Sequence, residues 1–161
     1  MKNVKKMIVA GAILASTVLS ADALSLKAGY GSLSDDGTSY SGGTIGLEGS
    51  LGNMKNFDLY LDINYGGFED LSLVEIGLGL RYNVYDNLWL GVTGEAASLS
   101  TSLVEDVSSF VGVMYGANAK YAFTPNHALI AEYKTGTLSD SESGLIDIDV
   151  STMAFMYSYT F

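Results

Sequence analysis

The sequence contains no cysteine, one proline and one histidine among its 161 residues. Without cysteine, the chain has no disulfide framework, no thiolate chemistry and no sulfur to which a lipid could be attached. Basic residues are also few, since eight lysines and arginines stand against 18 acidic residues. Because nucleic acids are bound through basic surfaces, this charge balance argues against a nucleic-acid partner.

Long apolar segments are lacking after the N-terminal region, which itself has the three parts of a secretory signal. Lysines occupy positions 2, 5 and 6, an apolar run covers 7–19, and 21–23 matches a small-x-small cleavage site. A membrane anchor is the alternative, but the 13 apolar residues fall short of the ~20 that a spanning helix needs. We therefore predict a cleaved signal peptide at 1–23 and one domain at 24–161, with a net charge near −12.

The remaining chain is rich in glycine and tyrosine and shows an alternation with a period of two. In 57–66, for example, Leu59 and Leu61 alternate with Tyr60 and Asp62. Because a strand sends successive side chains to opposite faces, this alternation indicates β-strands. The pattern predicts eight strands, at 24–33, 41–51, 57–66, 72–85, 88–98, 108–123, 127–138 and 148–161.

The predicted connections differ in length at the two ends of the strands. Those at 52–56, 86–87 and 124–126 are short, whereas those at 34–40, 67–71, 99–107 and 139–147 are mostly longer and polar. An even number of ~10-residue alternating segments with this asymmetry is typical of outer-membrane barrels. We therefore predict an all-β fold, an eight-stranded antiparallel up-and-down transmembrane β-barrel. A soluble ligand-carrying barrel or sandwich remains the alternative, because its strands also alternate.

If the apolar faces meet lipid, most charged strand residues face the lumen. Charges at the membrane midplane cost ~2–4 kcal/mol when they face hydrocarbon, and buried charges are normally paired. We expect ion pairs centred on Arg81, Lys120 and Lys134. These pairs either fill and rigidify the interior or rearrange to form a narrow ion path, as in a porin-like channel. The predicted lumen charges are Lys27, Glu48, Asp58, Asp62, Glu75, Arg81, Glu95, Lys120, Glu132 and Lys134.

Each predicted long connection carries a pair of acidic residues. Four acidic tips on one rim could hold Ca²⁺ or Mg²⁺ weakly, since both ions prefer carboxylate oxygens. Solvated polar loops and a surface for a host or surface ligand are the other interpretations. The residues are Asp35, Asp36, Glu69, Asp70, Glu105, Asp106, Asp140 and Glu142.

The last segment places Phe155, Tyr157, Tyr159 and Phe161 on every second position, and therefore on one strand face. With the signal, the strand pattern and this aromatic ending, the chain resembles the small eight-stranded outer-membrane barrels, the OmpA/OmpX-like and opacity-protein-like group. The resemblance implies that the four aromatics form the sorting signal read by the barrel-assembly machinery. It also implies a monomer in the outer membrane of a Gram-negative-type bacterium. The partners would be membrane lipid, lipopolysaccharide and, during biogenesis, periplasmic chaperones.

The group includes adhesins, structural anchors and a few lipid-modifying enzymes. The lipid A deacylase type needs a histidine and a serine on the outer face near the cell exterior, whereas His127 follows a predicted periplasmic turn. A serine nucleophile needs a base within hydrogen-bonding reach, and the sequence has no second histidine. We therefore expect no enzymatic activity, no catalytic residue, no cofactor and no dedicated metal site. The resemblance leaves three roles: a structural surface barrel with a plugged lumen, a narrow channel, or an adhesin.

Overall fold

The computed structural model describes residues 23–35, 37–101, 109–141 and 146–161, together with the backbone but not the side chain of Asn53. The predicted signal peptide lies outside these residues, except for Ala23. Eight strands account for almost all of the described chain. They are β1 (Ala23–Asp35), β2 (Thr38–Met54), β3 (Phe57–Phe68), β4 (Leu71–Tyr85), β5 (Leu88–Thr101), β6 (Ser109–Ala122), β7 (His127–Asp140) and β8 (Asp147–Thr160).

The strands form one closed antiparallel barrel in which each strand pairs with its sequence neighbours and β8 pairs with β1. The prediction of an eight-stranded antiparallel barrel is confirmed. At the closing seam, Leu26 lies opposite Tyr159 on one side and Leu47 on the other. Within the described ranges, the structure contains no helix that is long and apolar enough to cross a membrane.

The period-two alternation determines which side chains enter the barrel. In β3, Tyr60 and Asp62 are both fully buried, whereas Leu59 and Tyr65 are 42% and 50% exposed on the outer face. Two irregularities in register, between Ser50 and Gly52 and between Asn83 and Tyr85, interrupt this alternation at one end of the barrel. We call this end the mouth end; it carries both described termini and the turns at 55–56, 86–87 and 123–126.

At the other end, which we call the cap end, the strands are longer than the sequence predicts. The connections that we expected at 34–40 and 67–71 are reduced to two residues each, 36–37 and 69–70. Gly37 and Glu69 have positive φ angles of 88° and 52°, as tight hairpin turns require. The expectation of longer loops is wrong at these two positions. The polar outer residues there suggested loops, but the inward residues continue the strand alternation.

Candidate functional site: the interior of the barrel

The outer surface of the barrel is apolar. Tyr30, Val92, Val113 and Tyr115 are between 61% and 64% exposed, although water-soluble proteins rarely leave such large apolar surfaces uncovered. Most charged side chains of the strands turn inward and are buried, whereas Asp147 and Asp149 of β8 are exposed. This arrangement, apolar outside and polar inside, is that of a transmembrane barrel, and it leaves the lumen as the place where polar chemistry concentrates.

The lumen at the cap end is filled by hydrophobic side chains. Leu33 and Leu138 are completely buried close to the ends of β1 and β7, and Phe68 and Leu71 flank the turn at 69–70. The sequence analysis expected ion pairs in the interior and did not predict an apolar cluster at this end. We call the cluster the apolar cap. Its members are Leu33, Phe68, Leu71, Leu73, Ala97, Leu99, Met114, Leu138 and Val150.

Below the apolar cap, Lys27 and Asp62 form a fully buried ion pair. The Lys27 ammonium donates to both Asp62 carboxylate oxygens at 2.6 Å, and neither side chain is exposed to solvent. Asn64 also donates to Asp62, at 3.1 Å. The sequence predicted both charges in the lumen but did not indicate that they pair with each other.

Nearer the mouth end, the guanidinium of Arg81 is held by contacts with three residues. Its guanidinium donates two hydrogen bonds to Glu48, at 2.6 and 2.7 Å, and a third to Asn118 at 2.8 Å. It also lies 3.8 Å above the centre of the Tyr60 ring, whose hydroxyl accepts a hydrogen bond from Asn118. Lys120 donates to the same Glu48 at 3.0 Å. We call these five residues the Arg81 network.

A third group is organised around Lys134. Its ammonium lies 2.7 Å from Glu75, 2.9 Å from Glu95 and 3.0 Å from Glu132. Thr93 donates a further hydrogen bond to Glu95 at 2.8 Å. All four of the charged side chains are at least 93% buried. We call them the Lys134 cluster; in it, three carboxylates share one ammonium.

The remaining predicted lumen charge, Asp58, lies at the mouth end and accepts a hydrogen bond from Ser50 at 2.7 Å. A cavity of about 220 Å³ opens there and reaches the Arg81 network, since Glu48, Arg81 and Lys120 line its inner wall. The lumen therefore has three levels: a polar mouth, a belt of paired charges and an apolar cap.

The acidic residues predicted on loops are not gathered at one site in the described chain. Asp35 and Asp140 belong to β1 and β7, and Glu69 and Asp70 form a two-residue turn. Among the described residues, the group of three acids close enough to share a metal ion is instead inside the barrel: Asp62, Glu95 and Glu132. Asp36, Glu105, Asp106 and Glu142 lie outside the described residues.

The aromatic face of β8 lies on the outside of the barrel. Phe155, Tyr157, Tyr159 and Phe161 are between 38% and 72% exposed. The Tyr159 and Phe161 rings meet edge to face at 5.1 Å, and His127 Nδ1 shares a hydrogen bond with the Tyr157 hydroxyl. The single histidine therefore sits at the mouth end, where its ring bonds an outward-facing tyrosine and the residue also borders the mouth cavity.

The predicted lumen charges lie on the inner side of the barrel, but two features of the interior were not predicted. One is the role of Asn118 and Tyr60, which bind each other and Arg81. The other is the apolar cap. The sequence did contain a signal for the cap. Leu33 follows Lys27, and Leu138 follows Lys134, by an even number of positions, so each leucine faces the same side of its strand as the lysine. Extending the alternation beyond the last charged residue would have found it.

No family model and no curated protein matches this sequence. Solved structures match over nearly the whole described barrel. Neisserial surface protein A is 16% identical, with 86% of this chain and 96% of that one covered and a TM-score of 0.61. The attachment invasion locus protein Ail of Yersinia pestis, solved with the heparin analogue sucrose octasulfate, is 19% identical (86% and 98% covered, TM-score 0.55). The outer membrane enzyme PagL is 16% identical (84% and 98% covered, TM-score 0.55).

At such low identities, these matches show a shared fold rather than a shared activity. They include one protein described as an enzyme and one described by attachment and invasion, so the fold does not select between these roles. The strand number, the closed topology and the apolar exterior agree with all three. The chain therefore has the fold of the small eight-stranded outer-membrane β-barrels.

Proposed function

We propose that the protein is a structural barrel of the outer membrane whose lumen is closed to ions and solutes. The observation that carries this proposal is the complete burial of Lys27, Asp62 and Arg81 beneath the apolar cap. An eight-stranded barrel is only just wide enough for its side chains to fill. In the described part of the chain, both the charged belt and the cap occupy that space, which supports a closed lumen.

The charged belt supports a rigid plug more than a gate. Arg81 binds Glu48 through two parallel hydrogen bonds, and Asn118 and the Tyr60 ring fix its guanidinium further. Opening this network would strip partners from several buried charges at once, and each unpaired buried charge is costly. The lumen contacts therefore serve stability in our proposal, and the outer surface serves the membrane.

Planar-bilayer recording of the purified, folded protein in KCl tests the proposal. We expect the current to stay at the baseline of the protein-free bilayer. Regular conductance steps that scale with protein concentration would overturn the closed-lumen proposal. An open porin, reconstituted in parallel, shows that the bilayers report conduction.

A narrow ion channel is the second candidate, because the 220 Å³ cavity at the mouth end reaches Glu48, Arg81 and Lys120. A path through the barrel would require the Arg81–Glu48 pair to separate and the apolar cap to part. If the channel exists, Arg81→Leu should change the ratio of cation to anion permeability. If the lumen is a plug, the same substitution should lower stability and leave the baseline current unchanged.

We propose that the outward-facing surfaces meet lipid, lipopolysaccharide and the assembly machinery. The exposed hydrophobic side chains would contact acyl chains, and Phe155, Tyr157, Tyr159 and Phe161 would be read during insertion. The mouth end would face the periplasm. The described turn at 69–70 is short, and only two positions separate β1 from β2, whereas a standard protein interface buries ~800 Å² on each partner. A structural role therefore fits better than gripping a large host ligand.

We also propose that the protein has no catalytic activity. His127 binds Tyr157 on the outer surface, and no serine hydroxyl is among its described hydrogen-bond partners. PagL is described as an enzyme of the same fold, so the proposal needs a test. Incubation of the folded barrel with lipopolysaccharide, followed by mass spectrometry of lipid A, should show an unchanged acyl pattern. Loss of an acyl chain that depends on His127 would contradict it.

A further inference from the structure

Four buried side-chain oxygens belong to residues that line a small cavity between the charged belt and the apolar cap. They are Thr44 Oγ1, Asn64 Oδ1, Glu75 Oε1 and Glu132 Oε2, and none has a hydrogen-bond partner among the described residues. Buried polar atoms are nearly always paired, so four at one cavity require an explanation. Asn64, Glu75 and Glu132 are each at least 95% buried, which excludes bulk water as their partner.

The cavity is lined on the cap side by Phe68 and Leu73 and measures about 20 Å³. A cavity needs roughly 10–15 Å³ to hold one water molecule. It therefore has room for a single occupant of that size. A hydrated ion would not fit, so an ion could enter only after losing its water shell.

Charge around the cavity is not balanced by the protein. Lys134 binds Glu75 through Oε2 and Glu132 through Oε1, which leaves the opposite oxygen of each carboxylate without a hydrogen-bond partner. The same ammonium also binds Glu95. Across the whole belt, five carboxylates are paired with four cationic side chains. One negative charge is left over across the belt as a whole, and all the carboxylates in excess of cations belong to the Lys134 cluster.

We propose that the cavity binds one monovalent, oxygen-preferring cation of the size of sodium through Thr44, Asn64, Glu75 and Glu132. A charge of +1 offsets the single surplus carboxylate. Divalent ions fit less well, because Ca²⁺ takes 6–8 oxygen ligands and Mg²⁺ keeps several of its waters. The bound ion would join β2, β3, β4 and β7 across the lumen. The site does not depend on whether the barrel conducts, and its test is separate from the conductance test.

Thermal unfolding of the folded, full-length barrel in a zwitterionic detergent tests the site. NaCl is compared with choline chloride at equal ionic strength, because choline is too large for the cavity. A ligand that binds only the native state raises the melting temperature as its concentration rises. We expect sodium to raise the melting temperature above the choline value in a saturating manner. Equal melting temperatures in the two salts would overturn the proposal and leave water or a proton as the occupant.

Two variants and one control locate the effect. Glu75→Gln removes the surplus charge and should abolish the difference between sodium and choline. If that variant does not fold, Thr44→Val keeps all charges but removes one ligand, and the sodium concentration for half-maximal effect should rise about tenfold. Asp58→Asn is the matched control, because it removes a carboxylate at the mouth end, away from the cavity. Loss of the sodium effect in Asp58→Asn, or its persistence in both cavity variants, would overturn the proposal.

Discussion

The Arg81 network and the Lys134 cluster lie in the same lumen but divide charge in opposite ways. In the Arg81 network two cations, Arg81 and Lys120, share the carboxylate of Glu48. In the Lys134 cluster one cation serves Glu75, Glu95 and Glu132. The first group borders the cavity at the mouth end, whereas the second lies below the apolar cap. Excess positive charge is thus placed where solvent can reach it, and excess negative charge where it cannot.

The two groups also differ in how redundantly they are held. Glu48 keeps a cationic partner if either Arg81 or Lys120 is lost, and Arg81 has uncharged partners in Asn118 and Tyr60. Glu75, Glu95 and Glu132 depend on one ammonium among the described residues. The comparison indicates that the Lys134 cluster is the point at which a single substitution does the most damage.

Replacing Lys134 with Met should have the largest effect. The side-chain volume is nearly kept, but three buried carboxylates lose their cation, and breaking a buried ion pair already costs about 3–5 kcal/mol. We expect destabilisation at or beyond the upper end of that range, measured by urea unfolding in lipid vesicles. Lys134→Met combined with Glu75→Gln and Glu132→Gln should recover part of the loss. A stability near that of the unmodified barrel would show that the carboxylates find other partners.

Arg81→Leu should lower the free energy of unfolding by about 3 kcal/mol. This loss is smaller than that expected for Lys134→Met, because Lys120 remains beside Glu48. The same unfolding experiment measures it. A double-mutant cycle with Glu48→Leu isolates the pair, and the double variant should be more stable than Arg81→Leu alone. If Arg81→Leu proves more harmful than Lys134→Met, the proposed difference in redundancy between the two groups is wrong.

Truncating a side chain of the apolar cap should lower the free energy of unfolding by less than either charge substitution does. Leu33→Ala leaves a cavity at a fully buried position, and such substitutions cost about 2–5 kcal/mol in well-packed cores. We expect a value near the lower limit, because the end of a barrel can partly collapse. Leu26→Ala, on the outer face of the same strand and 40% exposed, is the control and should cost less. Equal losses would mean that the cap is not a packed core.

The smallest effect on stability is expected for Phe161→Ala. Phe161 is 72% exposed and contacts the Tyr159 ring edge to face, an interaction worth about 0.5–1.5 kcal/mol. Assembly in cells should suffer more than stability, if the outward aromatics are read during insertion. The amount of heat-modifiable protein in outer-membrane fractions measures assembly. Met54→Ala, exposed at the same end of the barrel, is the control and should assemble normally.

The fold could be predicted from the sequence because one periodicity runs through the whole chain. A residue such as Asp62 between Leu61 and Ile63 has only one face available to it in a membrane barrel. The strand ends at the cap could not be placed as well. Near Ser34 and Ser39, residues on the outer face are polar because they extend toward the aqueous side, so polarity alone suggested loops.

Which charged residues pair inside the lumen was harder to predict from the sequence than the fact that they face inward. Lys27 and Asp62 are 35 positions apart, and Arg81 and Asn118 are 37 apart. Which of them meet depends on the stagger of neighbouring strands around the barrel, which the alternation does not contain. Six acidic and four basic lumen residues could be counted from the sequence, but the gathering of three carboxylates around the single ammonium of Lys134 could not be located.

The order of the strands also has a consequence for how the chain folds. Seven of the eight pairings join sequence neighbours, and the seam between β1 and β8 is the one long-range pairing. Local hairpins close at low entropic cost, whereas the seam must bring Ser25 to Thr160 across the whole chain. Until β8 pairs with β1, the sheet is open and the edges of these two strands remain unpaired. We therefore expect that preventing these two edges from pairing with other chains, rather than forming the hairpins, limits the assembly of this barrel.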